Sequence, residues 1–175
     1  MKRTGGFTLV ELLVSIMVAG VLIALAIPAF NNFVMNDRDT GQINSLVASF
    51  NYARSEAVKR NTTVGVEVCP SSDKATCNAP ATGWAAGWIV LDLDPTDLAP
   101  VLQAVPTLGG SNALTSTAAT LTYKSNGGVV AANKVKICDT RGSAYARDVE
   151  VSTVGTITTS QKAGFDASGV ALTCP

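Results

Sequence analysis

Residues 7–30, FTLVELLVSIMVAGVLIALAIPAF, constrain this chain more than any other stretch. The run is almost wholly apolar and carries one charged side chain, Glu11. As a helix it reaches roughly 36 Å, at about 1.5 Å per residue. That is enough to cross a hydrocarbon core about 30 Å thick, and a helix satisfies its backbone polar groups without water. The preceding MKRTGG is short and basic, so Lys2 and Arg3 are expected to stay on the cytoplasmic side. A cleaved secretory signal fits poorly, because the apolar run exceeds the usual core of about 7–15 residues and no small-x-small site follows. A plain signal anchor leaves Glu11 unexplained. A carboxylate deep in such a span costs roughly 2.5–3.5 kcal/mol on insertion scales and marks function by default.

Once the N-terminal run is set aside, about 140 residues remain, the size of one domain. The formal net charge is zero; without Lys2 and Arg3 there are 11 basic side chains against 13 acidic ones, a net −2. Such a domain is no strong electrostatic magnet for nucleic acid. The chain has no histidine, which excludes histidine-based triads and His-ligated zinc. No nucleophile–base constellation is visible, so neither an enzyme nor a cofactor is expected. The four cysteines are Cys69, Cys77, Cys138 and Cys174, an even count that predicts two disulfides in an exported domain. Of the three possible pairings, the expected one is Cys69–Cys77, closing a short polar loop, with Cys138–Cys174 tying the C-terminus to a strand. Zinc is the alternative, but the sequence has no CxxC pair.

Residues 31–42 read as a polar break in the apolar pattern, although a helix running on through part of it is also allowed. From Gln42 to Arg60 the apolar residues Ile43, Leu46, Val47, Phe50, Ala53, Ala57 and Val58 mark an amphipathic helix. Arg54, Glu56, Lys59 and Arg60 fall largely off its stripe, and the last two suit the dipole at a solvated helix end. Strands are expected over 63–69 and 87–93, with a short one in 100–108 whose prolines put it at an edge. Residues 109–119 look weakly structured. A strand, a turn and a strand follow over 121–131, then strands at 135–139 and 147–152. Gly155 turns the chain into 156–159, and the tail has little pattern beyond its tether, Cys174. One helix followed by short antiparallel strands gives an α+β domain.

The junction Gly6-Phe7-Thr8-Leu9-Val10-Glu11 resembles the type IV prepilin processing signature. The resemblance implies cleavage between Gly6 and Phe7 by a prepilin peptidase, with methylation of the new amine on Phe7. It makes Glu11 the fifth mature residue and puts Pro28 where pilins usually carry a proline. It also gives Glu11 a role. In a filament the buried carboxylate needs a positive partner, and the amine of a neighbouring Phe7 supplies one. Pro28 removes a backbone donor and, with Gly20, weakens the helix, so the segment is expected to kink or melt on assembly. FNYARSEAVKRN, the strand ending in Cys69-Pro70, GWIVLDLD and ICDTRGSAYARDVEVSTVG resemble the GspH/FimT family of minor pilins and pseudopilins. That family's fold is a long N-terminal helix packed on two antiparallel sheets. The implied organisation is a leader over 1–6, a membrane and filament helix over 7–35 and a head over 36–175. The implied setting is a bacterial inner membrane crossed once, with the head in the periplasm, and the pilus surface after assembly. The implied partners are other pilin subunits, prepilin peptidase, the inner-membrane assembly platform and, before assembly, membrane lipid.

Three functions compete on this resemblance: a minor pilin at the tip or in initiation, a minor pseudopilin of a type II secretion system, and a pilus-tip DNA receptor. FimT-type relatives are associated with DNA uptake through a GRxR motif in a basic C-terminal patch. Here that motif reads Gly155-Thr156-Ile157-Thr158, with threonine at both arginine positions. The cations left for phosphate are Arg141, Arg147 and Lys162, with Lys134 and Lys136 nearby, and weak or absent DNA binding is expected. Asp92, Asp94 and Asp97 form a carboxylate cluster, but without an EF-hand's glycine and closing glutamate it reads as a solvated strand end. Trp84 and Trp88 flank a loop where a ligand could stack, although Trp88 reads as core.

Overall fold

The computed structural model describes all residues except 1–5, 62, 79, 95, 97–99, 108, 111 and 175. The chain divides into two compact units, Met1–Arg38 and Asp39–Pro175. Helix α1 spans Leu9–Arg60. Helical backbone therefore continues through Pro28 and through residues 31–42, where the sequence pattern reads as a break. The turn-forming residues there do not stop it. Asp39, which in isolation would bond the local backbone, turns instead to a side chain far along the sequence: Asn112 Nδ2 donates to Asp39 Oδ1 at 2.7 Å, and also to Gln42 Oε1 at 2.8 Å.

In the first unit the helix is exposed and, as far as Phe30, predominantly apolar. An 18-residue window has a mean hydropathy of 2.7 with none of it buried, long and apolar enough to cross a membrane. Leu9, Leu25 and Phe30 are all more than half exposed.

In the second unit Ile43, Leu46, Phe50, Ala53 and Ala57 are buried at three- and four-residue spacings. The buried side also carries Asp39 and three polar residues each one heptad from the next, Gln42, Ser49 and Glu56. Among the described residues, eight antiparallel strands form two four-stranded sheets. The first has the order β3-β2-β1-β5, from Val101–Val105, Trp88–Asp92, Val66–Pro70 and Leu121–Tyr123. The second has the order β4-β6-β7-β8, from Ala113–Ser116, Asn133–Cys138, Arg147–Val151 and Ile157–Thr159. The proline-flanked β3 lies at an edge, where a missing ladder donor costs least. Two expectations change. Residues 109–119, which look weakly structured in sequence, contain β4, paired to β6 over Ala113↔Cys138 to Ser116↔Val135. Residues 129–131 form no strand, because Val129 makes only an isolated bridge to Tyr123.

The core collects one face of each sheet. Val66, Val68, Trp88 and Val90 come from the first, and Leu114, Val135, Ile137, Val149 and Val151 from the second. Both tryptophans are wholly buried, so neither is free to stack on a ligand. Phe50 meets Trp84 edge-on with centroids 6.2 Å apart, and Trp88 Nε1 donates to Ser49 Oγ at 2.9 Å. Ser49 thus sits inside because an indole N–H needs an acceptor. Gly155 turns the chain with φ +81°, and a Cβ there would lie 2.0 Å from Gly127 O.

The C-terminal tail has more order than its sequence suggests. It lies against the outer face of the second sheet. Gly164 N–H donates to Ala146 O and Leu172 N–H to Gly164 O, both at 2.8 Å. Leu172 is buried with Cys138 and Ala146, and a disulfide joins Cys138 to Cys174. The second disulfide joins Cys69 to Cys77. It closes a loop organised by Asp73, whose carboxylate accepts from Thr76 (Oγ1 and N–H), Ala75 N–H and Ser71 Oγ. Those bonds, Thr76's foremost, hold Asp73 well below the usual carboxylate range. With the sulfurs bonded in pairs, no thiolate is left for zinc.

Candidate functional site

The N-terminal end of α1 is a reciprocal cap. Thr8 Oγ1 accepts from Glu11 N–H at 3.2 Å, and Glu11 Oε2 accepts from Thr8 N–H at 3.3 Å and from Thr8 Oγ1–H at 3.2 Å. This is the S/T-x-x-E capping box, which satisfies two orphan donors of a first turn. The negative side chain also suits the positive end of the helix dipole. Thr8 is a site residue absent from the sequence-based expectations, and its signal is the four-residue pattern Thr-x-x-Glu. Phe7 and Glu11 are both exposed, at the start of a helix that buries nothing in this unit. Pro28 stands within that helix. It has no N–H to give the Ala24 carbonyl one turn earlier, so the ladder is weakened there.

The cations proposed for phosphate contact are differently placed. Arg141 is drawn inward: its guanidinium lies 2.5 Å from Asp139 Oδ2, 3.2 Å from Asp39 Oδ2 and over the Tyr145 ring at 4.1 Å. Burial pushes Asp39 up. It would do the same to Asp139, but the hydrogen bonds from the Arg141 side chain and N–H outweigh it and lower that carboxyl. Lys134 faces Asp148, Glu150 and Asp166, and Lys136 Nζ donates to Thr173 O. Arg147 opens β7, half-buried, and Lys162 is exposed, its ammonium 4.5 Å from the Phe165 ring centroid. Thr156 and Thr158 are exposed, with Thr158 opposite Glu150 on β8. The structure therefore does not gather Arg141, Arg147 and Lys162 into one patch of unengaged charge.

Of the aspartate cluster, Asp92 departs from the expected solvated strand end. Asp92 is buried and accepts from Arg60 Nη1 at 2.7 Å. Asp94 caps its own turn by accepting from Thr96 N–H at 2.9 Å, and Asp97 lies outside the described residues. Glu56, which the helical stripe leaves outside, is buried and accepts from Arg60 Nε at 3.0 Å. Arg60 is what lets two carboxylates enter the interior, and period counting cannot show a charge paired across 32 residues.

A wholly exposed apolar helix opened by a glycine–phenylalanine junction and a glutamate, leading into a head whose own helix packs on two small antiparallel sheets, defines a type IV pilin-like subunit. The comparisons agree. A family model described as type II transport protein GspH matches residues 42–155, and one described as the prokaryotic N-terminal methylation motif matches residues 1–27. The chain belongs to the GspH family of pilin-like proteins. Its fold is similar to that of the type IV minor pilin FimU of Pseudomonas aeruginosa PAO1, solved in two crystal forms. One shows 22% identity and a TM-score of 0.53 over 69% of this chain and 91% of that one. The other shows 21% and 0.52 over 71% and 96%. The family is a structural one, of subunits that assemble with other pilins after peptidase processing, and not a family of enzymes.

Proposed function

We propose that this chain is a minor type IV pilin, cut after Gly6, methylated on Phe7 and built into a pilus at its tip or during initiation. One observation carries the reading: Glu11 lies on the exposed first turn of an apolar helix, where among the described residues its carboxylate is met by Thr8 across the cap. That partner suffices while a subunit waits in the inner membrane. Among neighbouring helices the carboxylate loses what solvation it had, and an unpaired charge there costs several kcal/mol. A methylated amine on the Phe7 of an adjacent subunit neutralises it at one axial offset only, so the pair sets register as well as affinity. The basic leader keeps the N-terminus cytoplasmic and leaves the head in the periplasm. Prepilin peptidase and the assembly platform are the partners this route requires.

The type II transport description of the matched family supports a second reading, a minor pseudopilin that serves protein export. Deleting the chain separates the two: loss of surface pili supports the pilus, and loss of secreted enzymes with pili intact supports export. For the shared chemistry the test is Glu11→Ala. The variant is expected to be cleaved normally and to accumulate in the membrane, but to be depleted from sheared filaments. Wild-type incorporation would mean that the carboxylate has another role.

A further inference from the structure

The outer face of the second sheet holds a charged cluster that the assembly chemistry leaves unused. Lys134 on β6 pairs in register with Glu150 on β7, and Asp148 lies two residues before Glu150 on the same face. The tail brings Asp166 down onto them. One carboxylate oxygen from each of Asp148, Glu150 and Asp166 lies within 4.8 Å of the other two. Asp148 is wholly buried, and neither of its carboxylate oxygens receives a hydrogen bond. The Lys134 ammonium contacts Glu150 and lies 3.0 Å from Asp166, but it stays 3.7 Å from Asp148, beyond hydrogen-bond reach. Three carboxylates around one ammonium leave two negative charges in excess, beside a group with no exposure to water.

We propose that Asp148, Glu150 and Asp166 bind a divalent cation, calcium by their chemistry, which takes the place that the Lys134 ammonium holds. Carboxylate oxygens without nitrogen or sulfur donors select hard cations. Their spacing lies inside the roughly 5 Å that two ligands span across a calcium ion at about 2.3–2.6 Å each. Calcium also accepts irregular geometry and completes its shell with water. Water has two ways in, a cleft of about 460 Å³ bounded by Thr117, Glu150 and Thr158 and one of about 360 Å³ bounded by Thr115, Lys136 and Asp166, with Lys134 lining both. The same clefts give the long, flexible lysine side chain somewhere to go. Lys134 is thus a built-in competitor. It holds the carboxylates together when the ion is absent and keeps affinity in the range of extracellular modules, with Kd of about 0.1–1 mM. The ion would also do what the lysine does weakly. Asp166 is the ligand from the tail and Asp148 and Glu150 come from β7, so binding fastens the tail to the sheet.

The test is a calcium titration of the full-length protein in detergent micelles after chelator treatment, read by calorimetry and by melting followed through tryptophan fluorescence. Magnesium and sodium chloride at matched ionic strength serve as controls. Wild type is expected to bind CaCl2 with Kd of about 0.1–1 mM and to melt about 3–6 °C higher at about 10 mM. Asp148→Asn should weaken binding at least about tenfold, and Lys134→Met, which removes the competitor, should tighten it by a similar factor. If Asp148→Asn does not fold, Glu150→Gln carries the same expectation. Wild type with neither heat nor a melting shift would overturn the proposal, as would a Lys134→Met that binds no more tightly, or magnesium and sodium shifting the melt as far as calcium does.

Discussion

Arg60→Ala should be among the most damaging single changes in the head. Arg60 ends α1 and holds two carboxylates, Glu56 at 3.0 Å and Asp92 at 2.7 Å. The Glu56 side chain is 11% exposed and that of Asp92 2%, whereas Arg60 itself is 33% exposed. Removing one partner of a fully buried ion pair costs about 3–5 kcal/mol. The partial exposure of Arg60, and Lys59 remaining 3.4 Å from Glu56, bring the expectation down to about 2–3 kcal/mol. Arg60→Met should cost nearly as much, because the charge and not the stem is what matters. The loss should also depend on pH. The Arg60 hydrogen bond holds Glu56 below its ordinary value of 4.5. A carboxyl depressed in the folded state contributes stability that is present above its unfolded value and lost as pH falls through the folded one. The gap between wild type and Arg60→Ala should therefore be full at neutral pH and shrink below about pH 4.5. Urea unfolding at both pH values, followed by the emission of the buried Trp84 and Trp88, measures it. A variant within about 0.5 kcal/mol of wild type at neutral pH would refute the reasoning.

The two disulfides should differ in worth. Chain entropy gives about 4 kcal/mol for Cys138–Cys174, with a separation of 36 residues, and about 2.5 kcal/mol for Cys69–Cys77, with a separation of 8. Paired Cys→Ser variants in urea test that order, and the reverse order would contradict it. Ser49→Ala strands the Trp88 indole N–H in the core and should cost about 1–3 kcal/mol by the same assay, whereas a neutral result would mean the N–H finds another acceptor. Duplex DNA should bind weakly at physiological salt, because Lys134, Lys136 and Arg141 are engaged within the head. Thr156→Arg with Thr158→Arg should raise affinity and steepen its salt dependence, and tight wild-type binding at physiological salt would sink this expectation.

What sequence made legible was set by period and composition. The apolar run, the helical stripe from Ile43 to Ala57 and the Val-rich strands state their environment residue by residue, so the α+β architecture follows from them. Pairing at a distance left no such mark. Asp39 looks like a turn residue until Asn112 binds it. Glu56 and Asp92 look solvated until Arg60 reaches them, and Arg141 looks available until Asp39 and Asp139 close on it. β4 was hidden for a related reason. Its Ala-Leu-Thr-Ser has little strand propensity of its own and becomes a strand because β6 offers it an edge. At the other end, the Thr8–Glu11 cap is spelled in the sequence as Thr-x-x-Glu.

The central claim is that this subunit reaches a surface filament only after peptidase processing at Gly6. Its most direct test is the intact mass of the protein recovered from sheared surface filaments, with sequencing of its N-terminal peptide. The account predicts a chain beginning at Phe7 that carries one methyl group on its amine and has both disulfides closed. A filament-borne chain that keeps residues 1–6, begins at any other residue or has an unmodified Phe7 amine would contradict it.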